Sequence, residues 1–179
     1  MALTATVYSF DVQLSDLDRG VYESLSFRAA QHPSESDEYL VARVLAYCLE
    51  YQEGISFGKG LAEPDEPAIT ITDLAGGRQA WIEIGTPDAE RLHRASKASP
   101  RVVVYTHKDP ATLRRKLEGE RIHRRESIVI VALDRDLIAG LAARLDRRMQ
   151  LTIMISDAHL YVTHQDATID GALTKVSSG

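Results

Sequence analysis

The chain opens on alternation: Tyr8, Phe10, Val12 and Leu14 fall on one side of an extended segment, and Ser9, Asp11 and Gln13 on the other. A period of two marks a strand with one covered face. After a polar turn from Ser15 to Gly20, Val21, Leu25 and Phe27 resume the pattern, so the first element is predicted to be a hairpin. The period then changes. Pro33 and a capping Ser34, with Asp37 three residues on, start a helix that runs to about Glu50. Its apolar stripe is Leu40, Val41, Val44, Leu45 and Cys48, and Glu38 stands at the stripe's edge.

Gly54-Ile55-Ser56-Phe57-Gly58 has the G-x-S-x-G spacing of a hydrolase elbow. An elbow needs a strand before the serine and a helix after it, whereas a helix precedes this one, and Lys59-Gly60 followed by Pro64 bars a helix beyond. The segment is read as a loop. Gly58-Lys59-Gly60 likewise lacks the spacing that wraps backbone amides round a phosphate.

Ala68 to Asp73 alternates again, and Gly76-Gly77-Arg78 turns the chain into Gln79 to Gly85, where Trp81, Glu83 and Gly85 share a side. One carboxylate thus stands in an apolar strand, and burying it requires a cation, a metal or several donors. Asp65, at the mouth of the preceding strand, is placed to share that partner. Thr86 as cap, Pro87, Asp88 and Glu90 then write a helix start. The helix ends near Ala98, and Arg101 to Thr106 follows as a strand buried on both faces, a crossover that implies parallel strands. A helix from Pro110 to Glu118, a strand from Ile128 to Ala132, a helix from Arg135 to Arg144 and a hairpin of Met149 to Ile155 with His159 to Val162 complete the pattern. Asp166 to Gly179 reads as a polar, frayed tail.

With 179 residues and 44% hydrophobic side chains, the chain suits one domain, residues 1–179, with a sizeable core. The net charge of −5 restricts any contact with nucleic acid to a local patch. A lone Cys48, no leader and no long apolar run predict a cytoplasmic protein without membrane contact. None of the six histidines pairs at a zinc spacing. On the crossover helix Glu90, His93, Arg94 and Lys97 share a face, which reads either as a surface ladder with Glu90 paired to Arg94 or as Arg94 or Lys97 leaning toward Glu83 as its cation. Arg114, Arg115 and Lys116 with Arg121, His123, Arg124 and Arg125 form a basic cluster. Arg121, Arg124 and Arg125 are the expected phosphate contacts, and the interleaved Glu118, Glu120 and Glu126 give the competing reading of a solvated surface.

Pro64-Asp65 followed by Glu83-Ile84-Gly85 resembles a variant of the PD-(D/E)-x-K nuclease signature, with Gly85 where that signature has lysine. More closely, the opening MALTATVYSFDVQLSDLDR, His32-Pro33-Ser34-Glu35, Asp65-Glu66-Pro67, Trp81-Ile82-Glu83-Ile84-Gly85 and Asp146-Arg147 resemble, in order over nearly the whole chain, the bacterial YaeQ family. The resemblance implies an α/β fold: a central mixed β-sheet flanked by helices, a restriction-endonuclease-like core with an added N-terminal hairpin. It implies a site of Glu38, Asp65 and Glu83, with Asp65 and Glu83 as ligands of Mg²⁺ or Mn²⁺ and with the lysine's role passed to Arg94 or Lys97. Such an ion polarises a phosphodiester and activates water. An arginine replacing the lysine keeps the charge but is a poor proton acceptor. Two functions follow as expectations: a Mg²⁺-dependent nuclease, or a catalytically inactive protein that binds nucleic acid or another partner and keeps the nuclease fold.

Overall fold

A computed structural model describes residues 4–59 and 63–176. The N-terminal alternation folds as expected: β1 (Thr6–Asp16) and β2 (Val21–Gln31) pair antiparallel, from Thr6 opposite Gln31 to Asp16 opposite Val21. Phe10, Val12 and Leu14 are buried. α1 (Asp37–Leu49) follows, capped by Ser36, whose side chain accepts from the Tyr39 amide. The cap lies two residues later than Ser34, because Ser34 is turned back onto the His32 ring, 2.6 Å from Nδ1. The stripe pattern also understated this helix. Ala42, Arg43 and Ala46 are buried along with the stripe, so α1 is enclosed on nearly every side.

The G-x-S-x-G segment is a strand, not a loop. β3 (Ile55–Phe57) pairs antiparallel with β4 (Ile69–Thr72). Its two glycines are there for close approach: a Cβ on Gly54 would lie 2.0 Å from Thr72 O, and one on Gly58 2.2 Å from Pro67 O. Gly60, the last residue of the Gly58-Lys59-Gly60 stretch, lies outside the described residues. β5 (Arg78–Ile84), α2 (Ala89–Ala98) and β6 (Arg101–Thr106) form the expected crossover, with β5 and β6 parallel. Asp88, rather than Thr86, caps α2 and accepts from the Arg91 amide. α3 (Pro110–Leu117), β7 (Val129–Leu133), α4 (Arg135–Ala142), β8 (Arg148–Ser156) and β9 (His159–His164) match their expected segments to within a few residues.

The expected tail is a strand from Ala167 onward. β10 (Ala167–Val176) pairs antiparallel with β9 along its first half and with β7 along its second. Its inward positions include Gly171, where a Cβ would stand 2.3 Å from that of Asp134, so the strand packs through a missing side chain and gives little hydrophobic signal. Residues 177–179 of that tail lie outside the described residues.

The ten strands form one mixed sheet in the order β2-β1-β8-β9-β10-β7-β6-β5-β4-β3. The N-terminal hairpin is joined to it through parallel pairing of β1 with β8. The sheet curls into a nearly closed barrel, with Phe27 of β2 and Phe57 of β3, its two edge strands, at a ring separation of 5.9 Å. One core fills the curl around α1 and α4, while a second, around Trp81, Leu92, Val104 and Leu113, lies under α2 and α3. β5 and β6 separate the two cores and are therefore buried on both faces. Among the described residues no helix is long and apolar enough to cross a membrane.

Candidate functional site

The site is built where β5 and β6 end together. In parallel sheets the crevice at the strands' carboxyl ends is where ligands are commonly held. Here a cleft of about 410 Å³ opens there, lined among others by Ser36, Tyr39, Glu83, Gly85, Arg91 and His107. Both α1 and α2 begin near its wall, where Ser36 and Asp88 cap the Tyr39 and Arg91 amides.

Glu83 and Trp81 share a face of β5, as their period-two spacing requires, and Trp81 Nε1 donates to Glu83 Oε1 at 2.8 Å. Glu83 is 3% exposed. Its cation is Arg91, whose Nε donates to Oε2 at 2.6 Å and whose Nη2 donates to Oε1 at 2.9 Å. The same guanidinium donates to Pro64 O at 2.8 Å and Glu66 O at 2.6 Å, so it ties the acidic turn to β5. Burial pushes the Glu83 carboxyl above the usual carboxylate range, against the pull of Arg91 and Trp81.

Sequence reasoning placed Arg94 or Lys97 against Glu83, one or two turns too far along. Arg91 lies in the first turn of α2, level with the end of β5, and Arg94 one turn on meets Asp65 instead, Nη1 to Oδ1 at 2.8 Å, while Nη2 pairs with Glu90. The Asp65 side chain is 82% exposed. Lys97 lies in the last turn, exposed. Glu38 is exposed in the first turn of α1 and lines an adjoining cleft with His107, Lys108 and Asp134. The three carboxylates expected together thus have separate surroundings.

Gly85 stands where the signature has lysine, with φ at +89°, in the left-handed region that favours glycine. A Cβ there would lie 3.6 Å from Tyr39 Cε2 and 3.7 Å from His107 Cε1, so these two rings occupy that side of the strand. His107 is 6% exposed, and neither ring nitrogen has a hydrogen-bond partner. Burial, with Lys108 adding to it and Glu38 opposing it, lowers its pKa to about 4, so the imidazole is neutral at pH 7. Arg91, Tyr39 and His107 were missed. The available signals were the position of His107 directly after a buried parallel strand and of Arg91 in the first turn of the crossover helix.

A family model described as YaeQ protein matches residues 1–172. The chain belongs to the YaeQ family. The YaeQ protein of Escherichia coli K12 is 30% identical over 175 residues, 97% of each chain, and that of Salmonella typhi 29% identical over the same span and shares. The crystal structure of YaeQ from Pseudomonas syringae superposes with a TM-score of 0.87 at 32% identity, covering 98% of both chains. That of YaeQ from Xanthomonas axonopodis pv. citri gives 0.81 at 30% identity, covering 96% of this chain and 98% of the other. The overall fold is therefore shared with both YaeQ crystal structures over 96% or more of this chain.

The metal expected for this YaeQ family member does not fit the arrangement. Mg²⁺ takes oxygen ligands. Both Glu83 oxygens are held by Arg91 and Trp81, and Asp65 is turned to Arg94 at the surface. Among the described residues, no group of three or more His, Cys, Asp or Glu side chains is placed to hold an ion.

The basic cluster divides. Arg124 donates to the carbonyls of Ser96 and Ser99, and Arg125 to those of Leu117 and Glu120, so both brace the loop that precedes β7. Arg121, Arg114 and Arg115 are exposed. Lys116 Nζ donates to Thr86 O at 2.7 Å, and Thr86 lines the cleft, so the basic last turn of α3 runs to the cleft's rim.

Proposed function

We propose that the chain is a nucleic-acid-binding protein built on a nuclease-like core, which holds its ligand without cutting it. The observation that carries this reading is the state of Glu83, whose two oxygens are held by Arg91 and Trp81 in a buried pair. A metal-dependent phosphodiesterase on Asp65 and Glu83 would first have to break that pair, and freeing a buried carboxylate costs several kcal/mol, on the order of 3 to 5. The variant signature and the position of the cleft at the ends of β5 and β6 support a nuclease-like ancestry. Binding is supported by Arg114, Arg115 and Lys116, which bring positive charge to the rim of a cleft in a chain of net charge −5. Phosphates of a single strand lie along α3 in this reading, with an end entering the cleft between the helix starts and Lys108.

The test is fluorescence anisotropy with labelled single- and double-stranded oligonucleotides over a range of salt. Affinity should fall steeply with salt, because phosphate contacts release counterions, and Arg114→Ala with Arg115→Ala should weaken it roughly tenfold. Absence of binding at low salt, or binding that ignores both arginines and salt, would overturn the reading.

A further inference from the structure

The curled sheet leaves two edges, β2 and β3, and between them lies a slot of about 350 Å³. The pairing fixes which backbone groups point into it. Ser9 N donates to Arg147 O, on the β8 side of β1, and Ser9 stands opposite Arg28 of β2. In an antiparallel pair, a residue whose amide points away from its partner faces one whose amide also points away. The N–H and C=O of Arg28 are therefore at the free edge, and by the period of two so are those of Ala30. Ala30 O bears this out by accepting from Arg43 Nη2 at 2.7 Å. On the other edge, Gly58 N donates to Ala68 O, and Gly54 O accepts from Thr72 N. The backbone groups of Phe57, between them, are left facing outward.

Free edges are normally shortened, covered or twisted away. Here two of them face each other, and among the described residues β2 pairs only with β1 and β3 only with β4. The slot has an aromatic wall of Tyr39 and Phe57 and a cationic rim of Arg28 and Lys59. Beneath the rim, Arg43 is 6% exposed, and its Nη2 is shared by Glu35 and Ala30. Its Nε has no partner.

We propose that this slot takes an extended, acidic segment of a partner protein, added as a strand at the β2 edge beside Arg28 and Ala30. Charge selects the occupant. In a chain of net charge −5 the rim is locally positive, which favours acidic side chains and disfavours a second copy of the same chain. The period of two in a strand lets such a segment alternate, with carboxylates toward Arg28 and Lys59 and apolar side chains toward Phe57 and Tyr39. This inference is independent of what the cleft beside Glu83 binds.

The probe is a labelled octapeptide of alternating Glu and Val, read by anisotropy against the full chain, with a Lys-Val octapeptide and a Glu-Val octapeptide N-methylated at alternate amides as comparisons. The acidic peptide should bind, Arg28→Glu with Lys59→Glu should raise its Kd at least tenfold, and N-methylation on the pairing edge should abolish binding. Amide exchange at Arg28 and Ala30 should slow on binding. No binding of the Glu-Val peptide, equal binding of the Lys-Val or N-methylated peptides, or a dimer in solution that protects the same amides would overturn the proposal.

Discussion

Arg91 Nε stands 2.6 Å from Glu83 Oε2, and the pair is closed from the other side by the Trp81 indole. The arrangement makes Glu83 a structural group. It joins β5, the first turn of α2 and the turn at Pro64 and Glu66, so one guanidinium holds three parts of the chain. Removing one partner of a buried pair leaves a charge with neither water nor counterion. Arg91→Met should therefore lower stability in urea denaturation by about 3 kcal/mol, while Glu83→Gln combined with Arg91→Met should cost clearly less than the two single changes added together. Additive losses would mean that the two side chains act separately.

Gly85 offers a test of the site's ancestry. Because its φ of +89° suits glycine and Tyr39 and His107 already cover its open side, Gly85→Lys should destabilise the fold by about 1 to 2 kcal/mol and confer no nuclease activity. Cleavage gained by this single change would show a cleft lacking only its amine.

Much of this architecture was legible in the residues. The crossover from β5 to β6 followed from an apolar run without alternation, and Glu83 stood out as one carboxylate in an apolar strand. The partner was not legible, because one turn of helix separates Arg91 from Arg94 and only the true cap, Asp88, fixes which of them is level with the strand's end. β3 and β10 were hidden for a common reason. Gly54 and Gly58, which flank the three-residue β3, and Gly171 within β10 sit where neighbouring chain comes within reach of a Cβ, so glycine stands where a large apolar side chain would have marked each strand.

His107 should make stability depend on pH. Its folded pKa is lowered to about 4 from the ordinary 6.5, so between these values the unfolded chain binds a proton that the folded chain does not. Its contribution to stability is therefore constant above about pH 6.5 and falls as pH drops toward 4, by roughly 3 kcal/mol. Denaturation midpoints of the unmodified chain and His107→Phe, compared from pH 7 to pH 4.5, should diverge as pH falls, with the unmodified chain losing more. Parallel curves, or an imidazole that titrates near 6.5 by NMR, would contradict this.

Cys48 is fully buried on α1, and burial pushes its thiol up to about 12. The thiolate is the reactive form, so native protein at pH 8 should react with a thiol reagent only at the rate at which it unfolds, and at once in urea. Rapid labelling without denaturant would show that α1 is not enclosed as the structure has it.

The account turns on a cleft that binds nucleic acid while its carboxylate stays locked. The most direct measurement is the integrity of a labelled oligonucleotide held in complex with the protein in Mg²⁺ or Mn²⁺, resolved on a denaturing gel beside a Glu83→Gln variant. The account predicts an oligonucleotide that stays full length with both proteins. Cleavage by the unmodified chain that disappears in Glu83→Gln would contradict it, since Glu83 would then have left Arg91 to serve the reaction.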